Sequence, residues 1–244
     1  DISMRGTTAW ILICSILIAS VGLNADSTAV VIGAMLISPL LGPILGLGLS
    51  ISTNDIDTLK ISIINTLVMV LLSIGTAYMF FISIPISEET SELLSRTRPD
   101  IRDVLIAFFG GLALIIAKTK KENISSAIFG VAIATALMPP LCTVGFYLAQ
   151  NNTDNALGAF LLFSINTLYI VFAAYIVLKV LGFPLKVYAN SRRRKFVNIS
   201  VTLIAISFAL IAIYEFIDVV EESRFNREAE KFLKSELAVL PNGD

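Results

Sequence analysis

Seven long apolar runs dominate the chain and limit what it can fold into. They cover about residues 7–23, 28–52, 60–84, 103–117, 124–149, 156–183 and 197–217. A helix of roughly 20 apolar residues crosses the hydrocarbon core of a bilayer, and most of these runs reach that length. Hydrophobic residues make up 56% of the chain and charged residues 15%, against about 25% charged in soluble domains. The sequence therefore predicts an all-α, polytopic membrane protein with about seven transmembrane helices.

The basic residues of the predicted loops indicate the orientation. If the chain crosses the membrane seven times, three basic residues fall in loops on the side opposite the N-terminus: Arg96, Arg98 and Arg102. The side that holds the N-terminus carries eleven: Arg5, Lys60, Lys118, Lys120, Lys121, Lys179, Lys186, Arg192, Arg193, Arg194 and Lys195. Because cytoplasmic loops are enriched in Lys and Arg, we expect a cytoplasmic N-terminus and an external C-terminus.

The chain also carries an internal repeat at an offset of 97 residues. The matched pairs are Gly33 and Gly130, Ser38 and Thr135, Leu40 and Leu137, Pro43 and Pro140, and Gly48 and Gly145. After a four-residue slip in the following loop, the sequence Ile-Asn-Thr-Leu at 64–67 matches the same sequence at 165–168. Each copy then holds three spans, so the second copy enters the membrane upside down. Inverted three-span repeats with a site at their interface are an architecture of many transporters.

Prolines interrupt the second run at 38–43 and the fifth at 135–140, which are matching positions of the two copies. Proline removes a helical hydrogen bond, so both helices should break or kink there. The backbone groups that a break frees have to face protein, water or a ligand, and helix N-termini suit anions while carbonyl ends suit cations. The predicted substrate- or ion-binding residues are Ser38, Pro39, Gly42, Pro43, Asn65, Thr135, Pro139, Pro140 and Asn166.

A purely structural interpretation of these residues stays open. The prolines would then only kink the helices, the glycines would allow close helix contacts, and each Asn would hydrogen-bond a neighbouring helix. Similarly, Asp26, Ser27 and Thr28 open the second run, where they predict an N-cap or a position at the mouth of a cavity.

Several function classes are disfavoured by residues that the chain lacks. It has no His, and no Asp, Glu, Lys or Arg lies near the middle of a predicted span, which disfavours a proton relay. Cys14 and Cys142 lie in apolar runs and are expected to be inert thiols. No nucleophile–base pair or metal set is recognisable, so we expect no enzyme and no cofactor. The net charge of −1 gives no indication of a nucleic-acid surface.

The predicted organisation follows the spans. Residues 5–84 form the first three-span repeat, 85–102 an external connecting loop with a short helix, and 103–183 the second, inverted repeat. A basic loop and the seventh span follow at 184–220. Residues 221–244 form an amphipathic tail, which we expect to lie on the membrane or against another subunit of a homo-oligomer. Because the chain opens at Asp1, we also expect it to be part of a longer protein.

The segment 29–48, which contains Ile-Ser-Pro-Leu-Leu-Gly-Pro, resembles the signature of a family of prokaryotic multi-pass membrane proteins, domain of unknown function family 389. Further matching motifs are Glu-Leu-Leu-Ser-Arg-Thr at 92–97, Phe-Gly-Gly-Leu-Ala at 109–113, and the stretch 130–142. The resemblance covers roughly residues 5–185. It implies a helical protein of the prokaryotic inner membrane, often with a soluble domain beside it, and implies neither a substrate nor a catalytic residue.

Two functions remain as hypotheses. The first is a transporter or channel-like protein that moves a small solute or ion between the paired broken helices. The second is a non-transporting membrane scaffold or sensor, which anchors a soluble domain or assembles subunits through small residues. A hydrated site between the broken helices favours the first hypothesis, and dry, tightly packed helices favour the second.

Overall fold

A computed structural model describes residues 6–84, 88–119, 137–186 and 191–239, and in these ranges the chain is helical, without strands. The all-α prediction is confirmed for this part of the chain. The helices are α1 (Gly6–Asn24), α2 (Thr28–Ile37), α3 (Leu41–Thr53), α4 (Ile56–Ser83), α5 (Ser91–Leu94), α6 (Ile101–Thr119), α7 (Leu137–Ala149), α8 (Thr153–Val180) and α9 (Ser191–Val239).

The long helices are suited to a membrane by their length and composition. Helices α1, α4 and α8 are each long and apolar enough to cross a bilayer. The pair α2 and α3 passes the same test together, with a bend of 56° at the break between them. The described residues thus supply three crossings, or four if the bent pair is one span. The predicted span at 124–149 lies partly outside the described residues.

Two similar turns set the starts of α4 and α8. Asn54 and Asn151 adopt left-handed φ values of 57° and 56°, which Asn tolerates better than most residues. The next residue caps the following helix: Asp55 accepts from the backbone N–H groups of Asp57 and Thr58, and Asn152 accepts from that of Asn155. The two 28-residue helices therefore begin 97 residues apart, at 56 and 153, and they also end 97 residues apart.

Helix α8 lies at the centre of the described bundle. It packs against α6, α3 and α9, while α1 packs against α2 and α4, and α3 against α4. In its apolar window 67% of the residues are buried, against 28% for α4. The core around it contains Ile44, Leu141, Phe146 and Ile170, none of them exposed. The break between α2 and α3 is therefore placed beside this core by α3, which packs on α8.

Helix α9 joins the predicted seventh span and most of the predicted tail into one element. It runs for 49 residues, or roughly 73 Å at 1.5 Å per residue, whereas the hydrocarbon core of a bilayer is about 30 Å thick. Val219 is buried, and Ser223 donates a hydrogen bond to Asp100 at 3.1 Å. As far as residue 239, the predicted amphipathic tail is therefore a continuation of the same helix.

Candidate functional site

The candidate site is centred on the break between α2 and α3. Ser38 ends α2 in an extended conformation, with φ −69° and ψ 130°, as expected for a residue that precedes proline. Its N–H donates to the Met35 carbonyl at 3.2 Å, and the Gly42 N–H donates to the Pro39 carbonyl at 3.3 Å. Proline at 39 cannot continue the helical hydrogen bonds. The chain therefore changes direction here and starts a new helix at Leu41.

Polar and buried groups coincide at this break. Ser38, Pro39 and Gly42 are half-buried, and Pro43 is buried. The Ser38 hydroxyl oxygen is buried and has no hydrogen-bond partner in the protein. Burying a hydroxyl without a partner costs about 1–3 kcal/mol in proteins. A water molecule, an ion or a polar solute that reached this hydroxyl would remove that penalty.

The second proline segment is partly described. Pro139 and Pro140 are buried in the first turn of α7 as the structure describes it, where a missing N–H is tolerated. The Thr143 hydroxyl donates to the Pro139 carbonyl at 3.0 Å. Thr135, the predicted partner of Ser38, lies outside the described residues. Helix α7 is placed against α1, since the Cys142 thiol lies 4.0 Å from the Ile16 carbonyl oxygen.

The two predicted asparagines lie on α4 and α8 in different environments. Asn166 on α8 is 1% exposed, whereas Asn65 on α4 is half-buried. Each is followed by a threonine, Thr66 or Thr167, whose hydroxyl oxygen is buried without a hydrogen-bond partner. These two hydroxyls were missed by the sequence reasoning, although they belong to the repeated Ile-Asn-Thr-Leu motif.

Other buried hydroxyls were also missed. Ser62 and Ser73 on α4 and Ser20 on α1 are fully buried, and the hydroxyl oxygens of Ser62 and Ser20 have no hydrogen-bond partner. A signal existed in the sequence, because 62, 66 and 73 fall on one helical face of an otherwise apolar run. A polar stripe of this kind inside a membrane span usually faces protein or water.

Two glycine contacts join the two predicted repeats. A Cβ atom on Gly48 of α3 would lie 2.5 Å from the Cβ of Ala174 on α8, so the two backbones approach closely. A Cβ atom on Gly145 of α7 would lie 2.5 Å from the Cβ of Ala77 on α4. Both glycines and both alanines are separated by the same 97 residues. Helix α3 therefore approaches α8 closely at Gly48, and α7 approaches α4 closely at Gly145.

A charged cluster, which we call the Lys186 clamp, joins the segment after α8 to the turn between α3 and α4. The Lys186 ammonium lies 2.7 Å from Asp55 and 2.9 Å from Asp57. The Lys186 backbone N–H also donates to the Thr53 carbonyl at 2.8 Å. The clamp therefore holds the last residues of α3 and the first of α4 to the chain that leaves α8.

The electrostatics of the clamp follow from these contacts. Burial alone would raise the pKa of Asp55, but hydrogen bonds from Lys186 and Thr58 outweigh it and hold that pKa below its usual value. The hydrogen bonds to Asp55 and Asp57 raise the pKa of Lys186 above its usual value. All of these effects favour the charged forms, so the clamp is an ion pair near neutral pH.

Another group of polar contacts ties the turn between α1 and α2 to α5. Ser27 holds the N-cap position of α2 without a side-chain hydrogen bond, so the predicted capping interaction there is absent. The Asp26 carboxylate instead accepts from the Ser91 hydroxyl at 2.9 Å and from the Glu92 N–H at 3.0 Å. The Thr28 hydroxyl donates to the Glu92 carboxylate. Thr90 is the N-cap of α5 and accepts from the Leu93 N–H, while Asp26 accepts from a second N–H of the same turn.

The segment before α5 also approaches the turn between α7 and α8. The Tyr147 hydroxyl faces Glu89 and Asn155, without reaching ordinary hydrogen-bond geometry with either. We call this arrangement the Glu89 contact. Nearby, a Cβ atom on Gly158 would lie 2.0 Å from the Thr97 carbonyl oxygen, which shows how tightly α8 fits this segment.

Two surface grooves are apolar and are not lined by the predicted site residues. A groove of about 560 Å³ lies between α1 and α4 and includes Leu17, Leu72 and Met79. A second, of about 310 Å³, lies between α6, α8 and α9 and includes Phe108, Phe172 and Phe216. Grooves of this composition suit lipid chains better than an ion.

Comparisons with known proteins assign no activity to the chain. The chain matches the family described as Domain of unknown function (DUF389) over residues 35–172. It is 31% identical over 209 residues to an uncharacterized protein of Methanocaldococcus jannaschii. The match covers 82% of this chain and 63% of that protein, so the chain spans less than two thirds of the length of this relative. No solved structure matches the chain significantly.

Proposed function

Because the chain belongs to the family described as Domain of unknown function (DUF389), whose description assigns no activity, we propose a function from the geometry itself. The chain is a transporter or channel-like protein that moves a small solute or ion through a midplane site between two broken helices. It is built from two inverted three-span repeats and a seventh helix, and it catalyses no reaction.

The break between α2 and α3 carries this proposal. It combines a 56° bend with the half-buried Ser38, whose hydroxyl oxygen is buried without a partner. Interrupted helices of this kind hold substrate and ion sites in transporters, because their freed backbone groups have to be satisfied by something other than lipid. The second proline segment, with Thr135, Pro139 and Pro140, is proposed to complete the site.

The glycine contacts support the inverted repeat. Gly48 meets Ala174, and Gly145 meets Ala77, so residues 97 positions apart exchange roles between the halves. A two-fold axis that relates the halves produces such a swap, because a contact from the first half to the second then has a counterpart in the reverse direction. Such a reciprocal pair is not expected of two halves that merely follow each other along the chain.

The loop contacts support the proposed topology. With seven spans, Thr53, Asp55 and Lys186 fall on the side of the N-terminus, and these residues meet in the Lys186 clamp. The opposite side collects the contact of Asp26 with Ser91, that of Gly158 with Thr97, and that of Ser223 with Asp100. Each of these contacts joins residues proposed for one and the same side.

The proposed setting is the inner membrane of a prokaryote, with a cytoplasmic N-terminus and an external C-terminus. The proposed partners are the lipid bilayer, the transported solute or ion, and further copies of the same chain. No nucleic acid is among them. The archaeal origin of the relative and the excess of basic residues in the N-terminal-side loops support this setting.

A scaffold or sensor is the second candidate, and one observation favours it. Several close contacts between helices run through small residues, as at Gly48, Gly111 and Gly145, and such packing also serves subunit assembly. This candidate predicts a dry interior and no flux.

A flux measurement on purified protein in lipid vesicles tests the proposal. The probes are Na⁺, K⁺, chloride and inorganic phosphate, each compared with protein-free vesicles. We expect flux of at least one probe and a loss of about tenfold or more in Pro43→Ala and Pro140→Ala, because both variants change the broken helices. Pro99→Ala, which lies outside both breaks, is the matched control. Equal flux in the parent, both variants and protein-free vesicles would contradict transport of these probes and favour the scaffold.

A further inference from the structure

The Lys186 clamp and the Glu89 contact occupy equivalent places in the two halves. Lys186 follows Glu89 by 97 residues, and Asn155 follows Thr58 by the same interval. In the first half, the turn before α4 is met by the segment that leaves α8. In the second half, the turn before α8 is met by the segment that leaves α4. Each turn therefore contacts a segment from the other half.

The position of the clamp couples it to the candidate site. Helix α3 begins at the break beside Ser38 and ends at Thr53, whose carbonyl the Lys186 backbone holds. The same helix packs on α8 through Gly48, and Lys186 lies six residues after the end of α8. Because Lys186 follows α8 and both carboxylates follow α3, any displacement of α3 relative to α8 would change the distance between Lys186 and the two carboxylates.

The clamp also has the properties of a contact that opens and closes. The Lys186 side chain is 38% exposed, so water reaches the ion pair and replaces it when the groups separate. Exposed ion pairs are weak and are screened by salt, which keeps the closed and open forms close in free energy.

We propose that the Lys186 clamp is a latch that closes the path to the Ser38 break from the N-terminal side, with the Glu89 contact as its equivalent at the opposite end. This inference rests on the proposed function. The two ends are unequal: Lys186 forms two ion pairs, whereas Glu89 approaches the neutral hydroxyl of Tyr147. The resting form is therefore closed more firmly on the N-terminal side.

Accessibility of a cysteine at the break tests the latch without knowledge of the substrate. The full chain carries Ser38→Cys and Cys14→Ser, and buried Cys142 remains. A membrane-impermeant, cationic methanethiosulfonate reagent is applied from one side of the vesicle at a time, and the modification rate is measured. The variant is Lys186→Gln. The matched control is Lys179→Gln, which removes a charge from the last turn of α8 but leaves the clamp intact.

We expect Lys186→Gln to raise the rate at which the cysteine at the break is modified from the N-terminal side by about threefold to tenfold. The expected change is modest because exposed ion pairs are weak and only bias the equilibrium between the closed and open forms. Lys179→Gln and Lys186→Arg should keep the parent rate, and the rate from the opposite side should not rise. Modification at equal rates in the parent and Lys186→Gln would overturn the latch while leaving the hydrated site intact. Absence of modification from either side in every variant would overturn the proposed function, and the latch with it.

Discussion

Helices α4 and α8 are nearly identical by the measures that a sequence offers, yet they lie in different places. Each has 28 residues, their mean hydropathies are 2.0 and 2.2, and they begin 97 residues apart. In α8 67% of the apolar window is buried, and in α4 only 28%. Hydropathy thus identifies a helix that can cross a bilayer, but it does not distinguish contact with protein from contact with lipid.

Two differences in packing accompany this: α8 also contacts α9, which has no counterpart in the predicted repeat, and it packs more extensively on α6 than α4 does on α1. Helix α8 packs against α9 in addition to α6 and α3, while α4 packs against α1 and α3 and touches α7 at Gly145. One face of α4 remains exposed, with Ile61, Ile64, Leu67, Leu71 and Met79. A large apolar face of this kind in a membrane protein contacts lipid or another subunit. The reciprocal glycine contacts therefore relate α3 to α8 and α7 to α4 in the same way, whereas α9 packs on α8.

The prediction with the largest expected effect tests whether the contact of Gly48 with Ala174 and that of Gly145 with Ala77 are equivalent. Gly48→Ala and Gly145→Ala each place a Cβ atom 2.5 Å from an alanine Cβ on the facing helix. Overpacking of this kind costs about 1–3 kcal/mol, and we expect both variants to lose similar stability. Thermal unfolding in detergent measures the effect.

Gly75→Ala is the matched control for both variants. No atom lies within 4 Å of the added Cβ at Gly75, which is also in a long helix. Replacement there should leave stability unchanged or raise it by up to about 1 kcal/mol. A loss at only one of Gly48 and Gly145 would contradict their equivalence, and α4 and α8 would then differ in more than their outer neighbours.

A smaller effect compares the two turns before these helices. Asp55 accepts hydrogen bonds from Asp57 and Thr58 and also pairs with Lys186, whereas Asn152 caps α8 through Asn155 alone. Loss of an N-cap costs about 0.5–2 kcal/mol. We expect Asn152→Ala near the lower end of this range and Asp55→Ala near the upper end, in the same unfolding measurement. Asp55→Asn keeps the cap and should recover most of the loss; equal losses in both alanine variants would argue against a contribution from the clamp.

The sequence predicted the helical class and the break, whereas the repeat stays a prediction and its two signals differ in register. The repeated Ile-Asn-Thr-Leu motif required a four-residue slip, whereas the helix bounds, both turns and the Ala77 and Ala174 contacts keep an offset of 97 throughout. A slip of four residues is about one helical turn and keeps a side chain on the same face. Sequence similarity between apolar helices therefore does not separate the two registers.

The break between α2 and α3 could be predicted from Pro39 because the cause of the break is local. Proline lacks an N–H and restricts the conformation of Ser38 before it. The Lys186 clamp could not be found in this way. It joins residues 131 positions apart, and each of them looks like an ordinary residue of a polar loop. Buried hydroxyls such as those of Thr66 and Thr167 were equally hidden, because their environment depends on which helix faces them.

The smallest expected effect is a dependence on pH and salt of the stability that the turn before α4 contributes, compared with the turn before α8. The pKa of Asp55 is lowered from its usual 3.8, so its contribution to stability is complete above that pH and is lost as the pH falls through the lower folded value. The pKa of Lys186 is raised from its usual 10.5, so its contribution is complete below that pH and is lost at higher pH. We therefore expect Asp55→Asn to lower the melting temperature by about 1–2 °C between pH 5 and pH 9, and by less below pH 3 or in 1 M salt, where exposed charges are screened. Asp154→Asn, at the equivalent turn before α8 and away from Lys186, should show no such pattern. An Asp55→Asn effect that is the same at every pH would mean that the turn before α4 owes its stability to the cap alone, and the two turns would then be alike.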